Sequence, residues 1–388
     1  MGKLCIEQLE KNLEIGNSIF EFLNNNPENS GQEKKACKFL TKLLSEQGYI
    51  ITSPYKGVKY SFKATKNNKN NRPKVAIICE YDATEGLGHA CGHSSSSAAS
   101  IMTALSFDDK LPFDLDIIGT PNEEVLGGKI QLLQNSAFSE YDMAIMAHMN
   151  ASNQLYFNTV ASCDLYVSFF GKAAHSSINP SSGINALNGV RLMFSALDMM
   201  SSSLEMGQSI EGIVKDGGKI PNMIPKKASA YIYLRASNIN SLNKLKERVI
   251  ECIKGVAKAT ETTNNTTQNC PEYAEFLVVD TNKELVSQVF SELNMPWVEQ
   301  NFKAGSSDIG NLSFKIPVIH PMIAISHDEN APALYTEEFA NQIHGENGRF
   351  GMINGANVLY KIVAKLAEKP ELMKIIAFEH AQKIIEMK

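Results

Sequence analysis

The chain has 388 residues, 43% of them hydrophobic and 20% charged, with a formal net charge of −5 at pH 7. That length allows two domains, or one domain carrying a large insertion, and either can bury a sizeable core. The acidic balance and the lack of a strongly basic stretch argue against a nucleic-acid partner, and aliphatic runs such as VAII at 75–78 are far too short to span a bilayer.

The first residues, MGKLCIEQLEKNLEIG, alternate charged with apolar side chains and lack the unbroken apolar core of a signal peptide. Gly2 is followed by Ile6 where myristoylation wants Ser or Thr, so no lipid is expected. Seven cysteines, Cys5, Cys37, Cys79, Cys91, Cys163, Cys252 and Cys270, show no repeated spacing. They read as free thiols of a reducing cytoplasm.

In chain order, ENSGQEKKACKFLTKLLSEQGY predicts a helix capped by Ser30, with Ala36, Phe39, Leu40, Leu43 and Leu44 on its apolar stripe and Gly48 as its stop. KVAIICEYDA predicts a buried strand, AASIMTAL a helix, DLDIIGTPNEE a strand and turn, GGKIQLLQNSAF a helix and YDMAIMAH a third strand. Such alternation implies an α/β domain with a mainly parallel sheet. Its ligand sites are expected beyond the strand ends, where Glu80 and Asp82, Glu123 and Glu124, and His148 fall.

From about residue 162 the texture changes. CDLYVSFFGKAAHSS and ASAYIYLRAS read as strands, GINALNGVRLMFSALDMM as a helix, and SLNKLKERVIECIKGVA as a helix with Leu242, Leu245, Val249, Ile253 and Val256 on one face. ETTNNTTQN at 261–269 reads as a connector and EYAEFLVVD as a closing strand. The expected plan is a first domain over 1–161 and 278–388, interrupted by an α+β insertion over 162–277.

HACGHSSSS at 89–97 sets Cys91 two residues from His93. On a turn, both side chains can reach one zinc ion; alternatively they are a buried thiol beside a structural histidine. Adjacent Glu123 and Glu124 repel one another unless a proton or cation lies between them. One can ligate a metal while the other takes a proton from water, or both can sit solvated at a helix start. His148, at the end of an apolar strand, completes a mixed sulfur, nitrogen and oxygen set, or is simply structural.

Five ordered segments carry a resemblance: EYDATEGLGHACGH, GTPNEEVLGGK, GKAAHSSINPSSGINAL, GGKIPNMIPKKASAYIYLRA and GSSDIGN. They resemble the dinuclear-zinc aminoacylase and carboxypeptidase family, in the branch of bacterial aminobenzoyl-glutamate hydrolases, auxin-conjugate amidohydrolases and aminoacylase-like dipeptidases. The resemblance implies a zinc-peptidase-like catalytic domain with an inserted α+β lid and dimerisation domain. It implies Cys91, His93, Glu124 and His148 as metal ligands, Glu123 as general base, and His175 as a group reaching a partner subunit's substrate to stabilise an oxyanion. Asn222 and Arg235 match substrate-contacting lid positions, and Asp82 a carboxylate orienting a ligand. One or two zinc ions per chain are implied, with manganese or cobalt as alternatives. A homodimer acting on a small N-acyl amino acid or dipeptide in the cytoplasm is implied as well.

The pattern breaks in NAPALYTEEFANQIHG, where Tyr335 stands at the family's last histidine ligand. A neutral phenol is a poorer zinc ligand than imidazole, so Tyr335 coordinates or hydrogen-bonds there, His327 or His344 substitutes, or one metal position is lost. A catalytically altered relative, with a mononuclear site or a biosynthetic or non-hydrolytic binding role, is the alternative function. The serines 94–97 are a second departure, expected to cap the start of a helix; no GxSxG elbow supports a serine nucleophile.

Overall fold

The computed structural model describes residues 6–66, 72–108, 110–300, 305–328 and 331–387; Gly2 and Cys5 lie outside them. Of the described residues, one compact unit takes those in Met1–Asn158, Phe276–Phe302 and Ser307–Lys388, and a second takes those in Thr159–Glu275 and Lys303–Ser306.

The first unit is built on a six-stranded sheet in the order Ile50–Thr52, Phe62–Thr65, Asp114–Thr120, Lys74–Glu80, Met143–Ile145, Val318–Ile319. The first two pairings are antiparallel and the other three parallel. Lys74–Glu80 sits among the parallel partners and is buried on both faces, which is why it reads as a continuous apolar run. Val75, Ile77 and Cys79 enter one core and Ala76 and Ile78 another, following the two-residue period of a strand. The fold class is therefore α/β with a parallel-rich sheet and an inserted α+β unit.

The serine tract opens a helix, His93–Leu105, that is buried from His93 to Ala104. The hydroxyls do not cap it: no side chain caps this helix, and the preceding Gly92 does the turning. Ser95 Oγ instead donates to Gly348 O at 2.9 Å on the Glu346–Glu368 helix, and Ser97 Oγ donates to Glu80 O. Small residues let neighbouring helices come close, as at Gly16, where an added Cβ would meet Met102 Sδ at 2.0 Å. The tract is thus a packing surface, because a helix enclosed on all sides has no room for long side chains.

Ser30 is a second corrected cap. The helix runs Lys34–Glu46, its first amides, of Lys35 and Ala36, are accepted by Glu28 Oε2 at 2.7 and 2.9 Å, and Ser30 Oγ donates to Asp82 Oδ2 at 2.6 Å.

The second unit is a four-stranded antiparallel sheet, Thr263–Thr267, Ala161–Phe170, Lys227–Ala236, Ser209–Asp216, packed against the Ala186–Met200 and Ile239–Ala259 helices. Leu242, Leu245, Val249, Ile253 and Val256 are all buried in its core. Two expectations are overturned here. The polar 261–269 segment contains the edge strand Thr263–Thr267, where β-branched threonines suit a pleated, half-solvated edge. The apolar EYAEFLVVD segment forms no strand: only Tyr273 bridges Ser162, by two 2.9 Å backbone bonds, and Glu275 leaves the sheet to accept the Ile239 amide at 2.8 Å. No helix among the described residues is long and apolar enough to cross a membrane.

Candidate metal centre

Three strand ends of the first unit deliver the polar cluster. Lys74–Glu80 ends in Glu80, and Asp82 follows two residues on. The loop after Asp82 returns through Gly92, whose φ of +88° and 2.5 Å approach of a would-be Cβ to Met149 Cβ admit only glycine. Cys91 and His93 flank that glycine. After Asp114–Thr120, Asn122 adopts φ +65° and accepts the Leu126 amide at 3.3 Å, capping the short Glu123–Leu126 helix. Its own amide donates to Glu33 Oε1 at 2.9 Å. His148 heads the His148–Asn150 strand, which pairs in parallel with Met322–Ala324.

These side chains converge. Glu80, His93 and His148 present donor atoms within 4.8 Å of one another, and so do Cys91, His93 and Glu124. A further trio, Glu80, Glu123 and Asp308, meets the same limit. His93 is shared by the first two groups. Its Nδ1 lies 2.9 Å from the Asp82 carbonyl oxygen, which can only accept, so Nδ1 carries the hydrogen and Nε2 faces the cluster. Nε2 comes to 3.2 Å from Glu80 Oε2, yet neither atom has a hydrogen-bond partner, and Asp82 Oδ1 lacks one too. That 3.2 Å is ion-pair distance without hydrogen-bond geometry. His148 Nδ1 donates to Met149 O at 2.8 Å, turning its Nε2 the other way.

The electrostatics describe a cluster short of positive charge. Burial, then the Glu124, Glu80 and Asp308 charges, hold the Glu123 carboxyl well above its usual range. Burial likewise raises Glu124 and pushes the Cys91 thiol far up. His93 is raised well above the ordinary imidazole value: burial opposes this, but the adjoining Cys91 and the Glu80 and Asp82 carboxylates outweigh it. His148 falls to about 4, through burial and then the positive His93. Acids raised in pKa around a histidine raised well above the imidazole range are what a ligand set shows when the protein alone must balance it. Orphaned buried atoms on His93 and Glu80, with sulfur, nitrogen and oxygen donors around them, fit a divalent cation.

Asp82 touches both groups: Oδ1 lies 3.2 Å from His93 Nδ1, and Oδ2 accepts the Glu124 amide at 3.0 Å. Tyr335 has φ +64°, and its amide donates to Ala90 O at 3.1 Å, beside Cys91. Half of its surface is exposed, while burial of the phenolic end, then Glu124 and Glu123, hold its pKa well above the usual value. It therefore stays a protonated donor at neutral pH. Of the two candidate substitutes, His344 borders this turn, with Nε2 at 3.7 Å from where a Gly88 Cβ would stand; His327 is exposed and packs edge-on against Phe350 at 4.6 Å. His89 is fully buried and its ring nitrogens have no hydrogen-bond partner.

His175, Asn222 and Arg235 belong to the second unit. His175 Nδ1 lies 3.1 Å from Ser177 Oγ on a short strand paired with Met223–Ile224. Asn222 is exposed, and its carbonyl accepts the Ser176 amide at 3.0 Å. Arg235 faces Glu211 Oε2 at 3.5 Å, donates to Ser306 Oγ at 3.3 Å and lies over the Tyr233 ring.

Sequence reasoning did not assign Lys129, Asp308 or His320. Lys129 is fully buried between Glu80 and Asp308. His320 is buried with both ring nitrogens unpartnered, 6.2 Å from the His148 ring, and burial lowers its pKa to about 3. Asp308 lies in the quoted GSSDIGN segment and Lys129 in GGK, so the motifs held the signal without saying which residues meet.

A thiol, imidazoles and paired carboxylates gathered at the ends of a parallel-rich sheet define a metal-dependent hydrolase. Comparison with known proteins makes this specific. Residues 159–261 match the M20 peptidase dimerisation domain. The mouse (Mus musculus) Xaa-Arg dipeptidase is 31% identical over 325 residues, covering 81% of this chain and 74% of its own. A crystal structure of an aminohydrolase from methicillin-resistant Staphylococcus aureus aligns with TM-score 0.75 and 17% identity, over 95% of this chain and 100% of its own. A dinuclear metal-binding M20 peptidase from Bacillus subtilis aligns with TM-score 0.67 and 16% identity, over 92% and 99%. The chain belongs to the M20 family of metal-binding peptidases, and it is a metal-dependent amidohydrolase.

Proposed function

We propose that the protein is a dinuclear dipeptidase or aminoacylase that cleaves the amide bond of a dipeptide or N-acyl amino acid with a free carboxylate. The observation that carries this reading is the pair of ligand groups sharing His93, with Glu123 beside them. Cys91, His93 and Glu124 would hold one ion, and Glu80 and His148 the other; thiolate and imidazole donors favour zinc. The ions supply Lewis acidity, polarising the amide carbonyl and acidifying a water molecule. Glu123 takes the proton of that water at its carboxylate and returns it to the leaving amine, a task that suits a carboxyl whose proton affinity is raised by burial. Asp82 keeps His93 and Glu124 oriented.

Asn222 and Arg235 would bind the substrate carboxylate, Arg235 exchanging Glu211 for the ligand. His175 would act on a partner subunit's substrate within a cytoplasmic homodimer, in keeping with the matched dimerisation domain. The name of the mouse relative makes dipeptides ending in arginine the first substrates to test.

The test combines metal content with turnover. Purified protein is expected to retain about two zinc ions per chain and to hydrolyse Xaa-Arg dipeptides or N-acyl amino acids. Glu123→Gln should keep the metal and lose about 10²–10⁴-fold in rate. Full turnover by Glu123→Gln removes its role as base, and metal-loaded protein that cleaves neither substrate class overturns the reading.

A further inference from the structure

Lys129 has no part in the reaction just described, yet its side chain is completely buried, a placement that an ammonium group takes only when paired. It lies at the start of the Gly128–Gln134 helix, and its amide donates to Asp308 Oδ2 at 2.7 Å. The ammonium bonds to Glu80 Oε1 and to Asp308 Oδ1. Glu80 is thereby held by one oxygen, and its other, Oε2, is the orphaned atom 3.2 Å from His93 Nε2.

The partners of Lys129 are two members of the third donor trio, Glu80, Glu123 and Asp308. Three carboxylates within 4.8 Å would, by ligand chemistry alone, take a hard divalent cation. An ammonium already paired with two of them repels a dication at that distance. The helix start that carries it is also pressed against the strand end that leads to Glu123: a Cβ on Gly128 would stand 1.7 Å from Pro121 O. The lysine is therefore built into the centre and is no surface side chain folded inwards.

We propose that Lys129 is a positioning residue that serves as a resident cation: it fills the Glu80, Glu123 and Asp308 trio in place of a metal and fixes Glu80 so that Oε2 faces the His93 and His148 group. The chain then loads metal only at the two groups that share His93. This rests on the metal-dependent reading above.

The experiment counts metal in the full-length protein by elemental analysis after saturation with Mn²⁺ and desalting, with circular dichroism to follow folding. Lys129→Met keeps the length of the side chain and removes the charge. It is expected to retain about one more Mn²⁺ per chain than the unsubstituted protein, because the trio is then vacant. An unchanged count in folded Lys129→Met overturns the proposal, as does a third ion in the unsubstituted protein. If Lys129→Met does not fold, the charge-balanced Lys129→Met/Asp308→Asn pair answers the same question by chelator competition. Loss of the clamp on Glu80 should weaken Mn²⁺ at the His93 groups about 10–100-fold, and unchanged affinity overturns the proposal. Failure of the underlying reading looks different, since the unsubstituted protein would then take up no metal.

Discussion

Glu33→Gln tests the electrostatics of the first unit by a pH dependence whose sign and size are both fixed. Glu33 is fully buried, and its Oε1 accepts the Gly31 and Asn122 amides at 2.7 and 2.9 Å, tying down the turn that leads to Glu123. Oε2 has no partner. Burial first, and then the Asp82 charge, raise its pKa from 4.5 to about 7. A carboxyl whose folded pKa lies above its unfolded value favours the fold while protonated, so its contribution is complete below pH 4.5 and is lost as pH rises through about 7. A rise of that size corresponds to about 3 kcal/mol. Glutamine keeps the Oε1 acceptor and cannot ionise; its amide in the Oε2 position costs about 1–3 kcal/mol at every pH. The stability of Glu33→Gln relative to the unsubstituted protein should therefore climb by about 3 kcal/mol between about pH 4.5 and pH 8. Urea unfolding of chelated protein, followed by fluorescence of the single tryptophan, Trp297, reads the unit that contains Glu33. A difference that stays flat with pH would refute the reasoning, because a constant offset is all that packing can produce.

Gly128→Ala drives a methyl group into Pro121 O and should cost more than about 2 kcal/mol while displacing both Glu123 and Lys129; thermal melting together with metal content checks it. Gly255→Ala is its counterpart, an exposed position inside the Ile239–Ala259 helix with nothing within 4 Å of the added Cβ. It should gain about 0.5–1 kcal/mol by the same melting assay. Asp82→Asn removes the charge beside His93 Nδ1 and should weaken metal binding about 10–100-fold in chelator competition, with secondary structure unchanged. Tyr335→His exchanges a protonated phenol beside the Cys91 turn for an imidazole, and more metal should survive dialysis against chelator; equal retention would place residue 335 outside the centre.

The first unit was legible because its strands obey simple rules. KVAIICE could only be a strand covered on both faces, and the polar residues following it had to emerge at one sheet edge. Cys91 and His93, separated by one glycine, announced themselves for the same local reason. Lys129 and Asp308 did not, since they lie 179 residues apart and acquire meaning only when the chain closes and pairs them. The serine tract misled for a related reason: a hydroxyl at a helix start normally caps it, but burial against the Glu346–Glu368 helix redirected Ser95 to a carbonyl of that neighbour. EYAEFLVVD has strand composition, yet Glu275 is taken as a cap for Ile239 and the ladder is never formed. Propensity gave way to a tertiary hydrogen bond.

The charge pattern at the centre unites these observations. Glu80, Asp82, Glu123, Glu124 and Asp308 come together with the Cys91 thiol in a largely buried volume, where each ionised group is costly unless it is paired. The protein answers one part of that excess with Lys129, whose ammonium is raised in pKa because Asp308 and Glu80 outweigh its burial. The two carboxylates share it unequally. Glu80 is held well below the usual carboxylate range, since His93 adds its positive charge to that of Lys129, whereas burial keeps Asp308 up at about 6. Glu123, the third member of the trio, also feels the Lys129 charge, whereas Cys91 and Glu124 meet His93 as their opposing positive charge and no lysine in these contacts, and burial raises both. A divalent cation displaces protons from such groups on binding, so Cys91 and Glu124, which meet His93 but no lysine, are the positions where the proposed metal would supply the missing positive charge.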